Sequence, residues 1–212
     1  MDNIVIIGGG FSALIASAKN NFRSQIITPN IIKNINKDYS INKLFSLKSG
    51  SNATFKILNK KIHLHERLII GGNSKIWGGF IDVSTINSQA IALLENIGIK
   101  LVPLSFLNTG SISNKKDICQ LQYGGSILDS SKLLSPSIDK MVRSINLADL
   151  KPSILLEDNR SINFDKLILC VGVVQLIQIL ISSGLLKKGD FISLDEFKCQ
   201  FRISLYKNIQ EI

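Results

Sequence analysis

The stretch VIIGGGFSALIAS, Val5 to Ser17, sets three glycines directly behind an apolar run that begins almost at the first residue. A short run of Val and Ile without polar alternation is the pattern of a parallel strand buried on both faces, so NIVIIG predicts such a strand. The GGG segment then turns the chain, and FSALIASAKNNF has the apolar spacing of a helix. Gly8, Gly10 and Ala13 fit the spacing G-x-G-x-x-A. In that pattern the first glycine makes the tight turn, the second lets backbone approach a pyrophosphate, and the small third residue lets helix and strand pack closely. The segment reads as a dinucleotide cradle or, alternatively, as a bare strand-to-helix turn.

SQIITPN follows as a second strand. An acidic residue that accepts from the adenosine ribose belongs about 20 residues after the first glycine. Thr28 stands there, followed by Pro29 and Asn30. A hydroxyl or amide can bond a ribose hydroxyl, but without charge assistance the bond is about half as strong.

The chain has 212 residues, 45% hydrophobic and 19% charged, which suits one globular domain or one domain plus part of another. The 25 Lys and Arg against 16 Asp and Glu give a net charge of +9. The basic residues are scattered in pairs at most, so no nucleic-acid partner is expected. Cys119, Cys170 and Cys199 are odd in number and widely spaced, which indicates neither a disulfide framework nor a zinc site; no metal is expected, and a reducing cytoplasm is the simplest location. The first apolar run lacks a basic leader, so no signal peptide is read. LILCVGVVQLIQILISSGLL, residues 167–186, has the length of a membrane span. Gly172, Gln175 and Gln178 interrupt it, and a buried strand, a glycine turn and a buried helix account for it better.

RLIIGGNSKIWGGF, residues 67–80, carries two glycine pairs around Ser74 and Trp77. It reads as a nest with an indole against a flat ring, or as a Gly-rich hairpin with Trp77 as a core anchor. Downstream, Ser84 is the expected N-cap of an amphipathic helix ending at Gly98, followed by a strand at Ile99 to Val102. Residues 105–122 read as surface loop or hairpin, and SKLLSPSIDKMVRSI as a helical pattern broken by Pro136. SILLEDNRSINFDKLILCVG predicts strand, turn, strand and a buried strand closing on Gly172.

VIIGGGFSALIA, GGNSKIWGG and FDKLILCVGVVQLIQILISSGLL resemble, in order and approximate spacing, three blocks of the FAD-binding part of the glucose-methanol-choline oxidoreductases. The resemblance implies a Rossmann-like FAD-binding α/β domain over residues 1–186, with a parallel sheet, a small β-meander and small inserted loops within 105–150. Residues 187–212 would then start an incomplete substrate domain or form a tail. It implies FAD as cofactor. Gly8, Gly9, Gly10, Phe11, Ser12 and Ala13 would surround the pyrophosphate, and Gly71, Gly72 and Ser74 would support the flavin end. Trp77, Gly78 and Gly79 would lie beside the ring, Val102 would meet the adenine, and Gly172 would lie near the cofactor. It implies an alcohol or sugar as substrate.

The sequence departs from the family at Thr28, at Val171 and Val173 where smaller residues are common, and at Gln178 near a frequent proline. The family's catalytic His lies on a C-terminal segment, whereas this sequence ends at Ile212, so no catalytic residue is assigned. His63 and His65 share one strand face in KIHLHE and read as a strand edge, a metal-binding pair or a base. The expectation is therefore a truncated or partner-dependent flavoprotein, with a partner chain or a second copy covering the C-terminal edge. The alternatives are a non-catalytic remnant or interaction module with weak cofactor binding, and an NAD(P)-dependent reductase.

Overall fold

The computed structural model describes residues 2–29, 50–57, 60–67, 79–103, 117–148, 151–187, 191–197 and 200–206. At its centre lies β1 (Ile4–Ile7), flanked in parallel by β2 (Gln25–Ile27) and by β12 (Lys166–Leu169), which comes from far along the chain. Ile138 extends this sheet by a single parallel bridge to Ile27. The strand order is thus β12-β1-β2, with Val5 opposite both Leu167 and Gln25. Asn3 clamps the amino ends of β1 and β12, its backbone N–H donating to the Asp165 carboxylate at 2.6 Å and its side-chain amide to the Asn163 carbonyl at 2.6 Å.

Side chains of a strand alternate between faces, and here both faces are covered. Val5, Ile7 and Ile27 share a core with Val142, Ile145, Ile154 and Leu156 of an antiparallel meander. The meander consists of β9 (Val142–Asn146), β10 (Ser153–Leu156) and β11 (Ser161–Asn163) in the order β11-β10-β9. Ile6 and Ile26 face the other way, into a core with Ala13 and Leu14 of α1 (Phe11–Lys19) and Leu94 of α2 (Ser88–Asn96). That second core is closed by Leu121 and Leu128, from the sheet that joins β5 (Phe80–Asp82), β6 (Lys100–Pro103), β7 (Ile118–Tyr123) and β8 (Ser126–Ile127). The result is a mixed α/β architecture, with a parallel sheet between a meander on one face and helices on the other.

The remaining helix, α3 (Val173–Ser182), packs on β9, and its Ile179 enters the meander-side core. Ser183 fastens its end: the hydroxyl accepts from the Ile145 N–H at 2.7 Å and donates to the Ile179 carbonyl at 2.6 Å. Two hairpins complete the described residues. One pairs β3 (Gly50–Ile57) with β4 (Lys60–Arg67) and lies against α3; the other pairs β13 (Phe191–Phe197) with β14 (Gln200–Tyr206).

Two local readings are corrected. Asn87, not Ser84, caps α2: its side chain accepts from the Ala90 N–H at 2.8 Å, while Ser84 bonds the Asp82 carboxylate in a preceding 3-10 turn. Of the stretch read as surface loop or hairpin, residues 118–122 take the hairpin form: they belong to β7, which pairs antiparallel with β6 and β8, with Leu121 fully buried. The segment after Pro136 forms strand β9 where a helical pattern was read. Residues 191–206 form two strands paired with each other. The long apolar run resolves into β12, a turn at Gly172 and the ten-residue α3; among the described residues no helix is long and apolar enough to cross a membrane.

Candidate functional site at the carboxyl edge of the parallel sheet

β1 and β12 are adjacent and parallel, and the helices that follow them leave on opposite faces: α1 packs with Ile6, α3 with Val5 and Ile7. Open α/β sheets bind ligands outside the carboxyl ends of strands whose following helices diverge in this way. The backbone there is tightly knit. The Gly8 N–H donates to the Ile27 carbonyl at 2.8 Å, and the Cys170 N–H donates to the Ile7 carbonyl at 2.7 Å.

The three glycines of the turn serve different ends. Gly8 has φ +124°, and a Cβ there would run into the Cys170 carbonyl oxygen. The fold itself therefore requires glycine at 8, to let the end of β12 close on the end of β1. A Cβ on Gly9 would lie 2.8 Å from the Thr28 hydroxyl oxygen, so Gly9 makes room for Thr28, whose side chain is buried beneath the turn. Gly10 is different. Its φ of −89° is open to any residue, and it occupies the N-cap of α1.

An N-cap is ordinarily Ser, Thr, Asp or Asn, whose oxygen accepts from a first-turn N–H. Asn87 does this for α2. Gly10 and Gly172, the N-caps of α1 and α3, provide no side-chain cap, and neither helix has an acidic residue in its first turn. Two positive helix ends, uncompensated by carboxylates, thus stand at the carboxyl ends of neighbouring strands. This is the arrangement that favours an anion such as a diphosphate.

Of the residues singled out by sequence, the structure brings Gly8, Gly9, Gly10, Phe11, Ser12, Ala13, Thr28 and Gly172 to this edge. Ser12 is exposed on the first turn of α1, whereas Ala13 is fully buried against β1 and Phe11 packs partly on the same core. Val102 lies half-buried on β6, opposite Gln120. Gly79 is buried with φ +72° beside Ile127 and the Leu121 carbonyl, its own carbonyl accepting from the Leu121 N–H at 2.7 Å. Gly71, Gly72, Ser74, Trp77 and Gly78 lie outside the described residues. His63 and His65 fall on β4, opposite Thr54 and Asn52.

Cys170 was not singled out by sequence, yet its carbonyl dictates Gly8. The signal was present in the parallel between two apolar strands that each end in a glycine turn. Its thiol is half-buried, and burial pushes its pKa up to about 11. The Cys119 thiol is likewise raised, first by burial and then by the Asp117 carboxylate. Neither is an activated nucleophile. Among the described residues no group of three His, Cys, Asp or Glu could hold a metal.

No family model matches the sequence, and no curated protein matches it. Among solved structures the chain is similar to a fungal aryl-alcohol oxidase at 12% identity and a TM-score of 0.48. The alignment covers 86% of this chain and 48% of that one, so the chain spans about half the length of the oxidase.

Proposed function

We propose that the chain is the FAD-binding part of an oxidoreductase of the glucose-methanol-choline type, acting on CH–OH groups of alcohols or sugars and completed by further residues or a partner. The observation that carries this reading is the Gly8-Gly9-Gly10 turn at the switch between β1 and β12, where helices diverge to opposite faces with glycine N-caps. The order of the three sequence blocks supports flavin over a nicotinamide cofactor. The fit is favourable: Gly10 adds no Cβ where a phosphate would approach, and no carboxylate occupies either first turn. FAD, when bound, supplies a two-electron acceptor for a substrate hydride. The chain's own residues would act by position and charge. The first turns of α1 and α3 would hold the diphosphate, Ser12 would donate its hydroxyl, and Thr28 would stand at the ribose end. The segment 71–79 would support the flavin ring.

Thr28 also favours a second reading, a flavoprotein module without catalysis, because a neutral hydroxyl buried beneath Gly9 holds a ribose less firmly than a carboxylate. Purification from cells tests both. Yellow protein releasing FAD on denaturation supports the proposal. Colourless protein that binds no added FAD rejects it, and FAD that binds when added but is lost on gel filtration selects the second reading.

A further inference from the structure

Asp139 lies in SKLLSPSIDKMVRSI, where the helical pattern gave it no role, yet the fold brings it to the carboxyl edge of the parallel sheet. Residues 137 and 138 run beside β2. The Ser137 and Ile138 N–H groups donate to the Ile26 carbonyl at 2.8 and 3.1 Å, and the Ile26 N–H donates to the Ser137 hydroxyl at 3.3 Å. The Thr28 N–H donates in turn to the Ile138 carbonyl at 3.1 Å. Ile138 bridges Ile27 in parallel, so the next residue, Asp139, comes level with Thr28 at the end of β2.

The two residues also share a face. Ile138 packs with Ile27 on the meander-side core, whereas Ile26 belongs to the core under α1. Side chains alternate along extended backbone, so Thr28 and Asp139 both fall on the α1 side. Lys140 bears out the alternation. The Asp158 carboxyl, in the turn between β10 and β11, is held below the ordinary carboxylate range first by its bond from Arg160 and last by the Lys140 ammonium, which sets Lys140 back on the meander side. Thr28 is 3% exposed, whereas Asp139 is only half-buried. Among the described residues just past the carboxyl ends of β1, β2, β12 and this fourth segment, Asp139 is the one that carries a carboxylate.

We propose that Asp139 is the acidic residue that binds the adenosine ribose, one strand further from β1 than the dinucleotide fingerprint places it. This rests on the reading of the edge as an FAD site. The fingerprint acid works from the end of the second strand by accepting from ribose hydroxyls. Asp139 reaches the same edge from the strand alongside, about 4.8 Å away, and on the same face. An ionised carboxylate only accepts and has about four acceptor sites, so it can take two neighbouring hydroxyls besides the interaction it already makes within the chain. Its charge-assisted bond is about twice as strong as one to a neutral hydroxyl. Thr28 then supports the Gly9 turn from below, and its neighbour supplies the charge.

The test is displacement of FAD from the full chain by ADP and by 2′,3′-dideoxy-ADP, which lacks both ribose hydroxyls, followed by flavin fluorescence. Expected is binding of ADP about tenfold tighter than of the dideoxy nucleotide. In Asp139→Ala that preference vanishes. In Asp139→Asn, which keeps a neutral acceptor of the same shape, it falls to about threefold. Far-UV circular dichroism checks the fold of each variant, and should either fail to fold, the two nucleotides on the unaltered chain decide the matter. Equal affinity of that chain for both overturns the proposal. So does a tenfold preference that survives in Asp139→Ala while both nucleotides weaken alike, the mark of a merely structural role. An unaltered chain that binds no FAD overturns the proposed function itself and this inference with it, whereas FAD binding without a preference for ADP overturns the inference alone.

Discussion

Ser17 lies on the inner face of α1, 1% exposed, and its hydroxyl has no hydrogen-bond partner. An unsatisfied buried hydroxyl costs about 1–3 kcal/mol, and Ala is the better helix former. Ser17→Ala should therefore stabilise the protein by about 1 kcal/mol, read as a higher urea midpoint at unchanged slope. Destabilisation would mean that Ser17 bonds a buried water. Cys170 makes a pH-dependent prediction. With a pKa near 11, only about 0.1% of the thiol is ionised at pH 8, against about 10% for a thiol titrating at 9.0. Because a more basic thiolate is also intrinsically the stronger nucleophile, the net effect is labelling about tenfold slower than in the denatured chain. Mass spectrometry of alkylated peptides measures this. The proton that folded Cys170 retains is lost first by the unfolded chain, so folding stability should fall as pH rises from 9 towards 11.

At the scale of elements, β1, α1, β2, the meander strands β10 and β11, β12 and α3 were legible because each carries an unbroken periodic pattern between turn residues. β9 was not, and its register explains why. The ladder to β10 shifts between Leu155 and Leu156, pairing Ser144 with the first and Val142 with the second. This irregularity buries both Val142 and Ile145, three residues apart, which is helical spacing written into a strand. β7 was legible only as loop or hairpin for a different reason: its Gln120 and Gln122, joined by a side-chain hydrogen bond of 2.9 Å, look like surface polarity, although Gln120 is buried. The cap of α2 was misplaced because Ser84 and Asn87 are both good N-cap residues, and only the Asp82 carboxylate, bonded to Ser84, decides between them. Asn87→Ala should therefore cost about 1 kcal/mol, while Ser84→Ala should cost less. Chemical denaturation of the two variants measures the difference, and equal losses would contradict the assignment of the cap.

Across the whole molecule, the first and last strands of the parallel sheet are joined by residues more than 160 apart, from Ile4 against Lys166 to Ile7 against Leu169. No local pattern announces that pairing. It follows from two apolar strands, each ending in glycine and each opening a helix, which can share a sheet only if their ends meet. The edge where the two helices diverge is therefore a property of the assembled sheet, and its glycines divide between folding and the proposed binding. Gly8 and Gly9 are held by contacts within the protein, whereas the φ of Gly10 leaves that position open to any residue. The measurement that tests the central claim most directly is an FAD titration, followed by flavin fluorescence, of the unaltered chain and of Gly10→Val, with thermal unfolding of each as control. A Cβ and two methyls at the helix entrance should exclude the pyrophosphate while the core of Val5, Ile6 and Ile7 stays intact. The account predicts loss of FAD binding with a cooperative unfolding transition retained. Equal FAD affinity in the two proteins would contradict it.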